Sequence, residues 1–217
     1  RGRRLGSPNA AASSDYWRDR FREEPETGEL PTDQTRPALK SFDAHRVVRT
    51  LPTGLSSSLV ALGAQQKCSL FMTVLAGYIA LQHRLSALTD IVVGVPVSGR
   101  PSAEDAEVVG FCTHMVPVRV SVQADQPFSE LLEAVRNIVL DAFDHQDWPL
   151  GCLLDEIVVS ADLSRTPLFS TTFNLDRPLG ITAFAGRTAS LVPLPVRATA
   201  YDLSCNVVVD GNQIVLS

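Results

Sequence analysis

The chain lacks the spacing that metal and disulfide frameworks need. Cys68, Cys112, Cys152 and Cys205 stand far apart, each beside apolar neighbours. A zinc site needs paired spacing, so no metal centre is expected, and the thiols are read as reduced, mostly buried groups of a cytoplasmic protein. No two of the 4 histidines have ligand spacing either. Long apolar runs are missing. The segment LFMTVLAGYIALQHRL is broken by Gln82, His83 and Arg84, too soon to cross a bilayer, and no leader pattern opens the chain, so no membrane partner is expected. Positive charge is short as well. The chain holds 19 Lys+Arg against 24 Asp+Glu, a net charge of -5, and apart from RGRR at the start nothing marks a nucleic-acid binder. Ser98 and Ser170 lie outside any G-x-S-x-G elbow. GVPVSGR has neither the glycine spacing nor the Lys-Ser/Thr ending of a phosphate loop.

What is present is enough for a core. Of 217 residues, 45% are hydrophobic and 20% charged, which needs no covalent or metal staple. Residues 1–14 are small and polar and read as a linker; residues 15–217 form the folded body. SDYWRDRFREE reads as a helix capped by Ser14 or Asp15, with Trp17 and Phe21 on one face. Residues 25–44 hold Pro25, Pro31 and Pro37 without periodicity and form an extended connector. HRVVRTL reads as a strand. A helix follows from near Ser56, then a second, apolar nearly all round and capped by Ser69. DIVVGVPV is a continuous apolar strand buried on both sides. HMVPVRVSV is another, whose Pro117 requires an edge or a bulge. PFSELLEAVRNIVLDAF is a helix with Pro127 in its first turn, and PLGCLLDEIV is a second Pro-started helix. PLFSTTFNLD is a strand, and a hairpin around Asp210-Gly211 closes the chain inside its last strand, as in a fragment. Helices and strands mix without repeat, so the class is α/β (α+β).

Candidate chemistry is sparse. In DHQDWPLGCLLDEI, His145 and Asp147 form either an imidazole–carboxylate pair or a helix joint. In the joint, Asp147 caps the helix entered through Pro149 while His145 and Trp148 pack beneath; this reading needs no further assumption. His114, on a strand, faces either a cleft or solvent. His83 sits near a helix end and His45 at a strand start. The glycines of GVPVSGR mark either a tight strand exit or a close approach of backbone to a ligand, with Arg100 as a surface group or an anion holder. Asn174, in mid-strand, either fixes strands together or points into a ligand channel. The residues by themselves give no complete catalytic set.

Six stretches taken in order resemble the condensation domain of nonribosomal peptide synthetases. LPTDQTRP resembles its connector, and the segment ending in GVPVSGR resembles its helix–strand–turn. VGFCTHMVPVR, with Gly110, Pro117 and Arg119, resembles a motif that usually has Asn where His114 stands. HQDWPLGCLLDEI (His145, Asp147, Pro149), SRTPLFSTTFNLD (Arg165, Pro167) and YDLSCNVVVDGNQIVLS (Asp202) resemble three more. The wording is similar to members from mixed polyketide–peptide assembly lines.

The resemblance implies two lobes, each like chloramphenicol acetyltransferase with a mixed sheet flanked by helices, facing one another across a tunnel. Phosphopantetheine arms of donor and acceptor carrier proteins would enter from opposite ends, with no cofactor bound directly. The amine of one substrate attacks the thioester of the other, chemistry that a positioned imidazole assists. In the family that imidazole lies in a His-His-x-x-x-Asp-Gly motif on the amino-terminal lobe. This sequence has no such motif, and its matched stretches all belong to the carboxy-terminal lobe. The expectation is therefore a carboxy-terminal lobe without catalytic residues of its own, its amino-terminal lobe the missing partner and an apolar face where that lobe packs. Ser98, Gly99, Arg100, His114 and Asn174 are the candidates for its tunnel wall, and the resemblance makes the His145–Asp147 stretch structural. Two alternatives stay open: a non-catalytic platform for carrier proteins or a partner enzyme, and an ester-forming, epimerising or cyclising relative.

Overall fold

The computed structural model describes residues 10–26, 28–100, 107–157, 162–178, 187 and 194–217. In chain order the elements are α1 (Ala10–Arg20), β1 (Arg49–Thr50), α2 (Thr53–Gln65), α3 (Leu70–Ser86), β2 (Asp90–Val97), β3 (His114–Ser121), α4 (Phe128–Asp144), α5 (Leu150–Glu156), β4 (Thr171–Asp176), β5 (Leu203–Asp210) and β6 (Gln213–Leu216). The strands form one 6-stranded sheet in the order β1-β6-β5-β4-β2-β3. β2, β4 and β5 run parallel, while β3, β6 and β1 pair antiparallel with their neighbours. This is the mixed sheet with flanking helices expected from the sequence.

The side-chain patterns explain the layers. On α4, Leu131, Leu132, Val135 and Val139 recur at helical spacing and are all buried. They meet Leu75 and Ile79 of α3 and the inward row of the sheet: Val93, Val95, Val118, Val120, Phe173 and Val207. Phe173 sits between the Phe71 and Tyr78 rings, 5.4 and 5.7 Å away between centroids. A smaller cluster joins Trp17 and Phe21 to Val97, Val116, Ala142 and Leu153. Ser69 caps α3 as expected, its hydroxyl accepting from the Met72 amide at 3.2 Å. β2 has neighbours on both sides, and Pro117 lies on β3, the edge strand.

Several expectations need correction. α1 starts at Ala10, so residues 10–14 are not linker; Ala10, Ser13, Ser14 and Trp17 form its buried face. The alanine run favours helix, and small serines let α1 approach α5, where Ser14 Oγ reaches Glu156. HRVVRTL contributes only the two residues of β1, because Val47 and Val48 stay exposed without strand partners. α2 begins at Thr53, directly after Pro52 at φ -54°. Asp210 pairs with Gln213, so the hairpin loop is Gly211-Asn212, with Gly211 at φ 55°. All four cysteines are free as expected, but Cys68 alone is buried and the other three are half-buried.

β4 starts at Thr171, later than the sequence implied, because the chain first makes a tight turn. Leu168 has φ 70° and the Phe169 amide donates to the Pro167 carbonyl at 2.9 Å. This turn lays the Phe169 ring over Gly94, where a Cβ would overlap the ring, and Tyr201 stacks behind it at 5.9 Å. Gly94→Ala should therefore cost about 1–3 kcal/mol by overpacking, although alanine suits a strand interior better than glycine. In a Phe169→Ala background the same change should cost almost nothing, and a urea-unfolding cycle of the four proteins measures the difference.

Candidate functional site

β2 leaves the sheet at Val97, β3 enters at His114 and β4 leaves at Asp176, all at one end. Four of the five sequence candidates form a group there. Gly99 is buried at φ 63°, and a Cβ on it would run into the Cys112 carbonyl, so the turn requires glycine. The Arg100 amide donates to Ser98 Oγ at 3.3 Å, and its guanidinium donates to the Val108 and Gly110 carbonyls at 3.0 and 3.2 Å. Arg100 thus clamps the following loop, whose Val109 and Phe111 side chains are 100% and 94% exposed. His114 Nε2 donates to the Gln146 carbonyl at 2.7 Å, and its Nδ1 lies 3.4 Å from the Cys112 carbonyl. Both ring nitrogens face backbone oxygen, which ties the β3 start to the α4–α5 joint.

Asn174 lies on the sheet face away from α3 and α4, near the end of β4. Its Nδ2 donates to Asp176 Oδ2 at 2.8 Å and to Asn206 Oδ1 at 2.9 Å. One step along, Thr172 Oγ1 donates to Ser204 Oγ at 3.0 Å. The result is a polar ladder across β4 and β5. The sequence reading missed Ser204, Asn206 and the role of Asp176. Their signal was period 2: polar residues at 172, 174 and 176 face polar residues at 204 and 206.

His145 and Asp147 do not form a dyad. His145 ends α4, its Nδ1 lies 3.2 Å from Ser13 Oγ, its ring stacks on Tyr16 at 4.3 Å, and its carbonyl accepts from Trp17 Nε1 at 2.9 Å. The joint reading holds for His145 but not for Asp147 as a cap, because Pro149 is the N-cap of α5 and no described side chain caps it. Proline fixes the entry dihedral without a capping acceptor.

The remaining motif residues converge on the extended connector. Arg36 Nε pairs with Glu29 at 2.8 Å and its Nη2 with Asp202 at 2.6 Å, while Nη1 donates to the Ser164 carbonyl. Lys40 adds a second cation on Asp202 at 3.2 Å. Arg165 binds Glu29, Asp162 and the Gly28 carbonyl. Pro167 opens the turn that seats Phe169. Across the sheet, Arg119 grips Asp90 with two nitrogens and donates from Nη1 to the Arg20 and Glu23 carbonyls, its guanidinium 5.4 Å from the Phe21 ring centre. Burial would raise Asp202, but hydrogen bonds from Arg36 and Lys40 outweigh it and hold the carboxyl below its usual value.

Comparison with known proteins gives one answer. The family model described as "Condensation domain" matches residues 2–217. The chain is 39% identical to tyrocidine synthase 2 of Brevibacillus parabrevis over 160 residues, 74% of this chain and 4% of that protein. It is 34% identical to tyrocidine synthase 3 of the same organism over 204 residues, 93% of this chain and 3% of that one. Among solved structures, it matches the complex of the X-domain and OxyB from teicoplanin biosynthesis with TM-score 0.84 at 24% identity, over 99% of this chain and 48% of that one. It matches the first condensation domain of the calcium-dependent antibiotic synthetase, bound to a substrate analogue, with TM-score 0.70 at 21% identity, over 98% of this chain and 46% of that one. The chain thus spans a small part of the curated relatives and about half of these solved chains.

The connector network should carry stability that acid removes. Because Asp202 is lowered in the folded state, its contribution is complete above the unfolded carboxyl range near pH 4 and disappears as pH falls through the folded value. Asp202→Asn should cost about 2 kcal/mol at pH 7, the worth of charge-assisted hydrogen bonds, and progressively less as pH falls through the folded value. Unfolding free energies measured from pH 7 to pH 2 for both proteins should converge at the acid end.

Proposed function

The chain belongs to the condensation domain family, and on that premise we propose that it is the carboxy-terminal half of an amide-forming condensation domain in nonribosomal, or mixed polyketide–peptide, biosynthesis. The observation that carries the reading is the match along residues 2–217, read beside the absence of any His-His-x-x-x-Asp-Gly stretch in the sequence. The coverage of about half of solved condensation and X-domain chains supports it.

In this reading the end of the sheet bearing the Ser98–Arg100 turn, His114 and Asn174 is one wall of the substrate tunnel. Phosphopantetheine arms of donor and acceptor carrier proteins bring the thioesters there. Asn174 and Asn206 present amide groups that can hold a substrate amide or the pantetheine chain by hydrogen bonds. The proton-handling imidazole comes from the amino-terminal half. Exposed Val109 and Phe111 beside the Arg100 clamp provide an apolar contact for that half. A second reading, a platform that recruits a partner enzyme, draws support from the similarity to an X-domain solved in complex with OxyB.

The chain alone, given two loaded carrier proteins, should yield no amide product by mass spectrometry. Joined to an amino-terminal condensation half, it should yield product. Turnover by the pure chain overturns the proposal, and failure of the completed domain with every carrier pair favours the platform. In the active completed domain, Asn174→Leu should lower turnover about tenfold, the worth of one to two hydrogen bonds.

A further inference from the structure

A pocket of about 790 Å³ opens at the other end of the sheet, where β2, β4 and β5 begin. Ser98, His114 and Asn174 do not line it. The connector forms one wall, Phe169 and the start of β4 another, and the last turns of α3 a third. Its volume suits a small molecule.

Two independent features define its chemistry. The first is Gln82 of α3, 6% exposed. Its Oε1 accepts from Thr171 Oγ1 at 3.0 Å, and its Nε2 has no partner among the described residues. A buried amide donor without an acceptor is costly, and an acceptor oxygen from a ligand would relieve that cost. Gln82 lines the pocket but Nε2 itself is covered, so a ligand would reach it through a turn of the terminal amide that exchanges the Thr171 bond for one to the ligand.

The second feature is charge. Among the described residues, Glu24, Glu26, Glu29, Asp90, Asp162 and Asp202 line the pocket with only Arg36 and Arg165 as cations. Both guanidiniums are already engaged with Glu29, and with Asp202 and Asp162 respectively. Lys40 and Arg119 neutralise Asp202 and Asp90 from beyond the wall, and carboxylates still outnumber cations. Glu26 accepts from the Thr89 amide and hydroxyl, each at 3.0 Å, and from the Asp90 amide at 3.3 Å. These bonds, the Thr89 amide first, lower its carboxyl and keep it ionised. Such a rim repels phosphates and carboxylates and attracts an ammonium group.

We propose that this pocket is a binding site for a small aliphatic amine that carries a carbonyl group. The ammonium sits at the carboxylate rim by Glu26, the carbonyl oxygen accepts from Gln82 Nε2, and the aliphatic body rests on Leu88 and Phe169. This assignment is independent of the half-domain reading and holds for any function of the opposite end.

The test titrates the whole 217-residue chain with three probes while following the side-chain amide signals of Gln82 by NMR. Leucinamide has all three groups, N-acetyl-leucinamide lacks the ammonium, and 3-methylbutylamine lacks the carbonyl. Leucinamide should move the Gln82 signals and bind about fivefold tighter than either partial probe, one hydrogen bond or one ion pair apart. Gln82→Met should erase its advantage over 3-methylbutylamine and leave amine binding in place. The inference is overturned if leucinamide leaves Gln82 unmoved up to about 10 mM, past the millimolar range expected of such a fragment. Equal binding of all three probes to the wild-type chain overturns it too. If the variant misfolds, the wild-type titration decides alone.

Discussion

Glu29 bridges two guanidiniums, and the arrangement of the chain depends on that bridge. Among its described residues the connector has no helix or strand beyond one isolated bridge at Asp43, so side-chain contacts set its path. Arg36 reaches from it to Asp202 at the start of β5, and Arg165 reaches back to it from the approach to β4. Residues more than 130 positions apart are thereby held together. Their side chains are between 19% and 37% exposed, wet enough to limit the desolvation penalty and dry enough to limit screening. The guanidinium fork also accounts for arginine at both positions, since each binds two carboxylates and a backbone carbonyl at once. Holding the connector in place closes one wall of the pocket and sets the chain direction into the Pro167 turn.

The sheet direction then separates two chemistries. β2, β4 and β5 are parallel, so their carboxyl ends gather on one side. Open sheets containing helices commonly bind ligands there, and the Gly99 turn, His114 and Asn174 lie on that side. The amino ends gather opposite, where carboxylates dominate and Gln82 keeps an unused donor. Neither end depends on the other for its geometry. Gly99 is fixed by its approach to Cys112, whereas Gln82 is fixed by Thr171.

Much of this was legible in the residues. The period of α4, the Ser69 cap, the continuous apolar run of β2 and the edge proline of β3 are local signals, and each element formed as read. What failed were properties set by distant partners. HRVVRTL carries the β-branched residues of a strand, but β6 offers it a short ladder. Asp147 stands where a cap belongs, yet Pro149 starts α5 without one. Ala10 and Ser13 are small and polar enough to pass for linker until α5 and His145 supply the surface they pack on. Asn174 showed its chemistry in the sequence, while its partner Asn206 lies 32 positions on and became visible only through the β4–β5 register.

The two faces of the carboxyl-end site point to different neighbours. Thr172, Asn174, Ser204 and Asn206 make a hydrogen-bonded surface that an apolar partner could not cover without stranding their remaining donors and acceptors. Such a face belongs against water or against a polar chain. Val109 and Phe111, in the loop before β3, are almost fully exposed apolar groups held up by the Arg100 clamp. On the proposed reading as one wall of a substrate tunnel, the apolar loop would seal against the companion half while the polar strands stay wet.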